Sequence, residues 1–299
     1  MASRDYHDLL KPEVINTVSG LSLISRIVVE GFLSGLHRSR SVGPGMEFSQ
    51  YRGYEPGDDP RLLDWKMLAR SGRYYIKQSE VESQVSVKFI VDASASMEHE
   101  ENGISKLEFA RVLVACLAHL AQKQGDPVGL FALNENDFVS IYPKANQKHY
   151  NRLLLELLQL STKGKWPQLA VASKKIHSQN TRELIFFLTD MYEEDTEISG
   201  FVKNLKTKNN DVVVLQLMSG SEMDFTYQRS VTFEDLETGT KVKVDVDRAK
   251  ETYLATLHRR IADIKEFLLS QGIHHYLFRM DDHLGNALQL FLKERARLN

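Results

Sequence analysis

A buried strand that ends in polar side chains is the feature that most constrains this chain. Residues 85–91 read Val-Ser-Val-Lys-Phe-Ile-Val, a mostly apolar run rich in β-branched side chains. Such a run is typical of a strand covered on both faces, as in a parallel sheet. The run ends at Asp92, which is followed by Ser94 and Ser96. Because open α/β sheets bind ligands outside the carboxyl ends of their strands, we expect a functional site at these three side chains.

Two interpretations of this triplet are open. One carboxylate and two hydroxyls on a tight loop can provide one side of the oxygen shell that a hard cation such as Mg²⁺ prefers. An ion with so few protein carboxylates stays electron-poor and can accept an acidic side chain from a partner. Alternatively, Asp and Ser after a strand only cap the next helix by accepting hydrogen bonds from its free N–H groups.

A second strand favours the metal interpretation. Residues 182–188 read Arg-Glu-Leu-Ile-Phe-Phe-Leu, and Thr189 and Asp190 follow directly. Two buried strands that both end in oxygen-bearing side chains predict a shared site at one edge of a sheet.

Composition limits the class of protein. Of the 299 residues, 42% are hydrophobic and 26% are charged, as in ordinary soluble globular proteins. The net charge of −2 (38 − 40) predicts no broad basic surface for nucleic acid. The single cysteine, Cys116, lies in an apolar helical pattern, which indicates a buried thiol in a reducing compartment. The polar start of the chain has no apolar core of signal-peptide length, and no apolar run approaches the ~18 residues of a membrane span. We expect a cytoplasmic protein without direct membrane insertion.

The region before residue 85 reads as an extension of mixed α and β structure. Apolar residues recur at helical spacing from Leu9 to Leu36, and Gly20, Gly31 and Gly35 predict that each helix is short. Further on, Asp59 is expected to cap a helix that begins at Pro60, between two short strands.

Charged and aromatic side chains are dense between residues 47 and 78. The residues concerned are Arg52, Tyr54, Asp58, Asp59, Arg61, Asp64, Trp65 and Arg70. They are interpreted either as an internal ion-pair network that holds this segment on the main domain or as a recognition surface, because Trp, Tyr and Arg are common interface anchors.

From residue 85 onward, strands and helices alternate, which predicts an α/β fold with a doubly wound, mostly parallel sheet. Residues 230–246 alternate with period two around Thr238-Gly239 and predict a β-hairpin insertion. We therefore predict two regions, an N-terminal extension over 1–84 and the α/β domain over 85–299.

The motif Asp-x-Ser-x-Ser with a later strand ending in Thr-Asp resembles the metal-ion-dependent adhesion site of von Willebrand factor A domains. The resemblance rests on Asp92, Ser94, Ser96 and Asp190. Such sites usually take a further Thr, where this chain reads Gly164-Lys165-Trp166-Pro167. Thr162 is the nearby candidate for that ligand. If the position is lost, with Trp166 near it, the resemblance implies weak metal binding or none.

A longer segment carries a closer resemblance. Residues 51–70, which contain Arg-Gly-Tyr-Glu-Pro-Gly-Asp-Asp-Pro-Arg-Leu-Leu-Asp-Trp, and the strand into Asp92 resemble a poorly characterised bacterial family. The members of that family carry a von Willebrand factor A-like, Rossmann-type domain and are associated with MoxR-type AAA+ ATPases. The resemblance implies Mg²⁺ or Mn²⁺ as the ion, and such an ATPase or its client as the partner.

The function that these patterns predict is a non-catalytic, metal-dependent protein-interaction module in the assembly or maturation of a complex. One alternative is a scaffold whose metal site is degenerate. Another is a metal-dependent phosphohydrolase, which generally needs a second carboxylate where this chain has Ser94 and Ser96. The chain has no Gly-x-Ser-x-Gly elbow, Walker A sequence or Gly-x-Gly-x-x-Gly motif.

Overall fold

The structure is a computed structural model that describes residues 10–39, 50–56, 58–59, 63–78, 85–167, 176, 182–193 and 196–298. Two compact units are present. The first contains the described residues up to Ser34 and those from Val85 onward, and the second contains the described part of 35–83. Residues 10–34 are thus grouped with the central sheet, whereas the predicted boundary between the two regions lies after residue 84.

The strands described here are numbered in chain order. They are β1 (Gln50–Gly53), β2 (Tyr75–Gln78), β3 (Ser86–Asp92), β4 (Glu100–Glu101), β5 (Ile104–Ser105), β6 (Val128–Leu133), β7 (Phe138–Lys144), β8 (Glu183–Thr189), β9 (Asn210–Met218), β10 (Ser230–Glu234), β11 (Lys241–Asp245) and β12 (His274–Arg279).

The α-helices with described bounds are numbered in the same way. They are α1 (Pro12–Ile15), α2 (Val18–Ser39), α3 (Trp65–Ser71), α4 (Lys106–Lys123), α5 (Gln147–Gln159), α6 (Glu197–Leu205), α7 (Gly220–Asp224), α8 (Val246–Ser270) and α9 (Leu284–Leu298). The sequence also predicts a helix over 171–176, which lies outside the described residues except for Ile176.

Six strands form the central sheet of the first unit, in the order β12-β9-β8-β3-β6-β7. The first five are parallel to their neighbours, and β7 runs antiparallel to β6 at the edge. The predicted α/β architecture with a mostly parallel sheet is therefore confirmed. The predicted hairpin is the antiparallel pair β10–β11, which lies between α7 and α8 in the chain.

Both faces of the sheet are covered. Along β3, Phe89 and Val91 point into a core layer that also contains apolar residues of α2, α4, α5 and α9. Ile90 points to the other layer, where it meets side chains from α6 and α8. Because both faces are covered, every residue of β3 is buried, and all of them except Ser86, Lys88 and Asp92 are apolar.

The structure does not break the N-terminal helix at its glycines. Helix α2 continues through Gly20, Gly31 and Gly35, in contrast to the predicted short pieces. A glycine in a helix costs about 1 kcal/mol relative to alanine, and burial of Leu21 and Ile24 in the core offsets that cost. Gly20 also has a packing role, because a Cβ there would lie 1.8 Å from the carbonyl oxygen of Val14.

The second unit has its own small sheet. Strands β1 and β2 pair antiparallel, with Gln50 opposite Gln78. Helix α3 has Asp64 as its N-cap, so the prediction that a helix is capped by Asp59 is wrong. The Asp64 carboxylate accepts hydrogen bonds from the amides of Lys66 at 2.9 Å and Met67 at 3.1 Å. Pro60 lies outside the described residues.

Candidate metal centre

The sheet brings the two polar strand ends together. Asp92 is the last residue of β3, and Asp190 directly follows β8. The two strands are parallel neighbours in a register that pairs Val91 with Leu188, so their carboxyl ends meet at one edge. Both carboxylates are buried, with Asp92 0% and Asp190 8% exposed.

Hydrogen bonds join four of the five residues that the sequence predicts as metal ligands. The Asp92 Oδ1 atom accepts from the amide of Ser94 at 2.9 Å. The Ser94 and Ser96 hydroxyls are 3.0 Å apart, and Ser96 Oγ donates to Asp190 Oδ1 at 3.2 Å. The structure therefore shows one connected cluster of oxygens, which we call the oxygen cluster: Asp92, Ser94, Ser96, Thr189 and Asp190.

Thr189 is the member of the oxygen cluster that the sequence prediction left out. It is fully buried, and its hydroxyl donates to Asp92 Oδ2 at 2.7 Å. The same hydroxyl accepts from the amide of Met191 at 2.9 Å. Its place as the last residue of a buried strand was the available signal, because that position puts its side chain at the same sheet edge as Asp92.

The predicted threonine ligand, Thr162, belongs to a neighbouring loop. This loop is held against the Asp92–Ser96 turn by two backbone hydrogen bonds, from Lys163 to Ala93 at 3.0 Å and from Ala95 to Gly164 at 2.8 Å. Thr162 itself is half-buried. Within the described part of the chain, the Thr162 side chain makes no hydrogen bond to the oxygen cluster, so its role as a ligand stays a prediction.

Trp166 has a different role from that of a ligand. It is buried, and its ring lies 5.3 Å from that of Phe187 and 5.1 Å from that of Phe201. Trp166 is thus part of the hydrophobic layer between the sheet and α6.

A lysine that the sequence reading did not single out reaches the oxygen cluster. Lys106, the first residue of α4, places its Nζ atom 3.0 Å from Asp190 Oδ2 and 2.8 Å from Glu222 Oε1. Its side chain is 4% exposed. Burial alone acts to lower the pKa of Lys106, but the charges of Asp190 and Glu222 outweigh it and raise that pKa, so the side chain stays an ammonium.

The cluster carries an excess of negative charge. Burial, and next the charge of Asp190, raise the pKa of Asp92 to about 6, although hydrogen bonds from Thr189 and Ser94 act in the opposite direction. Two carboxylates, Asp190 and Glu222, share the ammonium of Lys106, and Asp92 adds a third negative charge close to Asp190. A divalent cation would balance this charge.

The donor set fits a hard cation. Every side chain in the oxygen cluster offers oxygen, the ligand that Mg²⁺ and Mn²⁺ prefer. Among the described residues, no three Asp, Glu, His or Cys side chains are grouped at metal-ligand spacing. An ion here would therefore depend on the hydroxyls of Ser94, Ser96 and Thr189 and on water molecules.

A cavity of about 880 Å³ adjoins the oxygen cluster. Ser96 and Asp190 line it at one side, and the β10–β11 hairpin and α8 form other walls. Aromatic side chains contribute much of the lining: the ring of Phe225 lies 4.5 Å from that of Tyr253 and 5.9 Å from that of Phe233. The cavity is thus apolar over much of its surface and carries oxygen ligands at one side.

The turn of the hairpin brings a further carboxylate to this region. The Oε1 atom of Glu237 is buried and has no hydrogen-bond partner among the described residues. Burial, followed by the charges of Asp92 and Asp190, raises the pKa of Glu237 to about 7. No sequence pattern marked Glu237, because its environment depends on how the hairpin folds back.

In the second unit, Arg52 of the predicted charged segment forms ion pairs with Glu55 and Asp58. Arg52 Nη2 lies 2.6 Å from Asp58 Oδ1. A hydrogen bond from the amide of Glu55, and next one from Arg52, lower the pKa of Asp58. Asp64 is the helix cap described above. The rings of Tyr54 and Tyr74 are 6.1 Å apart, and Asp59 is exposed.

The recognition interpretation of this segment stays a prediction. Trp65 is 63% exposed, and Arg70 is also exposed. Arg61 lies outside the described residues.

Within the described residues, none of the helices has both the length and the apolar content that a bilayer crossing requires.

Comparisons with known proteins place the chain in a family. The family model described as "Protein of unknown function DUF58" matches residues 50–262. Uncharacterized protein Rv1480 of Mycobacterium tuberculosis is 22% identical over 297 residues, which cover 97% of this chain and 92% of that protein.

Solved structures with a similar chain path were also found. The conserved hypothetical protein BatB from Bacteroides thetaiotaomicron is 15% identical with a TM-score of 0.43, over 71% of this chain and 99% of BatB. The von Willebrand factor type A protein from Catenulispora acidiphila is 15% identical with a TM-score of 0.34, over 46% of this chain and 34% of that one. Because the family model matches well over half of its residues, the chain belongs to the DUF58 family of proteins of unknown function.

Proposed function

We propose that this protein is a non-catalytic, metal-dependent protein-interaction module. It acts with a MoxR-type AAA+ ATPase in the assembly or maturation of a protein complex. The observation that carries the proposal is the buried oxygen cluster, in which Ser96 joins the β3 turn to Asp190 by a 3.2 Å hydrogen bond. The Asp-x-Ser-x-Ser motif supports it, because it resembles a metal-ion-dependent adhesion site.

The chain's own residues would supply some of the ligands of Mg²⁺ or Mn²⁺ and leave other coordination positions to water or a partner. Asp92 would provide the carboxylate, Ser94 and Ser96 the hydroxyls, and Thr189 and Asp190 the supporting oxygens. When bound, the ion supplies an electrophilic position that can take a carboxylate oxygen from a partner. The adjoining cavity gives space for the partner's side chains beside that carboxylate.

The hydrogen bonds and the burial of the Asp92 carboxylate favour an interaction role over catalysis. Both of its carboxylate oxygens accept hydrogen bonds, from Ser94 and Thr189, and the side chain is fully buried. A nucleophilic aspartate in a phosphohydrolase needs a second carboxylate as general acid. The corresponding positions carry the hydroxyls of Ser94 and Ser96.

One observation favours a second candidate function, a scaffold with a degenerate metal site. The ammonium of Lys106, 3.0 Å from Asp190, already provides a positive charge at the oxygen cluster. In that case the ammonium replaces the ion, and partner binding does not depend on metal.

The test is the binding of a purified MoxR-type AAA+ ATPase from the same organism by biolayer interferometry, with Mg²⁺ and with EDTA. We expect binding that EDTA abolishes and that Asp190→Asn weakens at least tenfold. Asp247→Asn, at an exposed site in the first turn of α8, is the matched control and should bind as the wild type does. Binding that is equal with Mg²⁺ and EDTA would support the scaffold instead, and no binding in either condition would remove the proposed partner.

A further inference from the structure

The hairpin turn is fastened to the strand end that carries Asp190. The Asp235 carboxylate accepts hydrogen bonds from the amides of Glu237 at 2.8 Å and Thr238 at 3.1 Å, which shape the turn. Its other oxygen accepts from the Tyr192 hydroxyl at 2.9 Å. The amide of Tyr192 in turn donates to Asp190 Oδ1 at 3.0 Å. A continuous path of hydrogen bonds therefore links the turn to the oxygen cluster.

Within this ordered turn, Glu237 has no evident structural role. Its Oε1 atom is enclosed but lacks a hydrogen-bond partner among the described residues. A buried acceptor without a partner costs free energy, and a carboxylate costs more than a neutral group. By contrast, Glu234 on the same hairpin is exposed and forms a 3.0 Å ion pair with Lys241.

The charges around Glu237 increase that cost. The carboxylates of Asp92, Asp190 and Asp235 all repel it, and Lys165 is the cation that opposes them. Such an arrangement of like charges around an unpartnered oxygen is relieved either by protonation or by a cation that shares the space. The residues that repel Glu237 most are the two carboxylates of the proposed metal centre.

We infer that Glu237 is an outer ligand of the cation at the oxygen cluster, and that its carboxylate accepts a hydrogen bond from a water molecule bound to the ion. This inference rests on the proposed function, because it requires that an ion binds at this cluster. A water-mediated role fits the absence, among the described residues, of three acidic side chains at direct chelating distance. It also fits Mg²⁺, which keeps several of its waters in protein sites.

The role assigns a task to the hairpin. With the ion bound, Glu237 would hold one of the ion's water molecules from the hairpin turn, and a partner's carboxylate would displace that water.

The experiment is a Mn²⁺ titration of the full chain by calorimetry and by the paramagnetic resonance of free Mn²⁺, with Glu237→Gln as the variant. Loss of an outer-shell partner typically weakens metal binding 10- to 100-fold, so we expect the Kd of Glu237→Gln to rise roughly tenfold or more. Glu251→Gln is the control, since it removes an exposed carboxylate that does not line the cavity, and its Kd should equal that of the wild type.

A second measurement separates this role from a structural one. In EDTA at a pH above 7, Glu237→Gln should raise Tm by about 2–4 °C, because it removes a buried charge that has no partner. If the variant binds metal more weakly and yet is more stable without metal, Glu237 serves metal binding and does not stabilise the fold.

Each outcome decides between the two proposals. Wild-type protein that binds no Mn²⁺ overturns the metal-dependent function and this inference together. Wild-type and Glu237→Gln proteins with the same Kd overturn the inference alone. A lower Tm of the metal-free variant also overturns it, because Glu237 then has a structural role.

Discussion

Replacement of Lys106 by methionine tests the electrostatics of the oxygen cluster. Methionine keeps the length of the side chain and removes the ammonium that lies 3.0 Å from Asp190 and 2.8 Å from Glu222. Asp190 is 4% exposed at its side chain and Glu222 is 22% exposed, so water replaces the lost partner only in part. Removal of one member of a buried ion pair typically costs about 3–5 kcal/mol, because the other charge is left without a partner.

We expect Lys106→Met to lower the free energy of unfolding of the metal-free protein by about 3–5 kcal/mol. For a chain of this size that loss lowers Tm by roughly 10 °C. Urea unfolding followed by circular dichroism measures the change. Mg²⁺ should stabilise Lys106→Met more than it stabilises the wild type, since the ion supplies the missing positive charge.

The control for this prediction is Lys123→Met at the other end of α4. Lys123 is 40% exposed and lies 3.7 Å from Glu30 Oε1, so its ion pair is worth no more than about 0.5 kcal/mol. A loss below about 1 kcal/mol in Lys106→Met, or one equal to that of the control, would refute the reasoning, because it would mean that the two carboxylates are well solvated or protonated.

Three further predictions concern titratable groups that are not members of the oxygen cluster. Lys88 is fully buried and forms an ion pair with Glu183, so Lys88→Met should lower the free energy of unfolding in urea by about 3–5 kcal/mol. The double variant Lys88→Met/Glu183→Leu should recover most of that loss, because it leaves no unpaired charge. Equal losses in the two variants would contradict this prediction. Burial lowers the pKa of His275 from 6.5 to about 4, so the unfolded chain binds more protons between these values. The wild type should therefore lose stability as the pH falls from 6.5 to 4, whereas His275→Gln should not. Profiles of Tm against pH that are parallel for the two proteins would refute this prediction. Burial raises the pKa of Cys116 to about 12, so iodoacetamide should label it only in denaturant, as mass spectrometry would show; rapid native labelling would contradict its burial.

The central sheet could be predicted because the apolar sequence of its strands indicates that they are buried. The run from Val85 to Val91 is interrupted only by Ser86 and Lys88, and such a run is typical of a strand covered on both faces. The bounds of α4, Lys106–Lys123, and of β6, Val128–Leu133, can be read from the sequence, since each has a strong apolar pattern with clear ends. Asp92 and Asp190 could be brought together from sequence alone, because parallel neighbouring strands share one edge.

Other features depend on long-range packing that no local pattern records. Gly20 and Gly31 argue locally against a helix, but buried side chains of α2 outweigh that preference. Lys106 reads as an ordinary first residue of a helix, and only the fold places its ammonium between Asp190 and Glu222. The environment of Glu237 likewise depends on where the hairpin turn lies.

The proposed function depends most directly on the binding of a divalent cation at Asp92. The measurement is a calorimetric titration of Mn²⁺ into the wild type and into Asp92→Asn, which keeps the shape of the side chain and removes its charge. We predict saturable binding of one ion per chain in the wild type and none in Asp92→Asn. No binding to the wild type at millimolar Mn²⁺, or equal binding to both proteins, would contradict the assignment of the oxygen cluster as a metal centre.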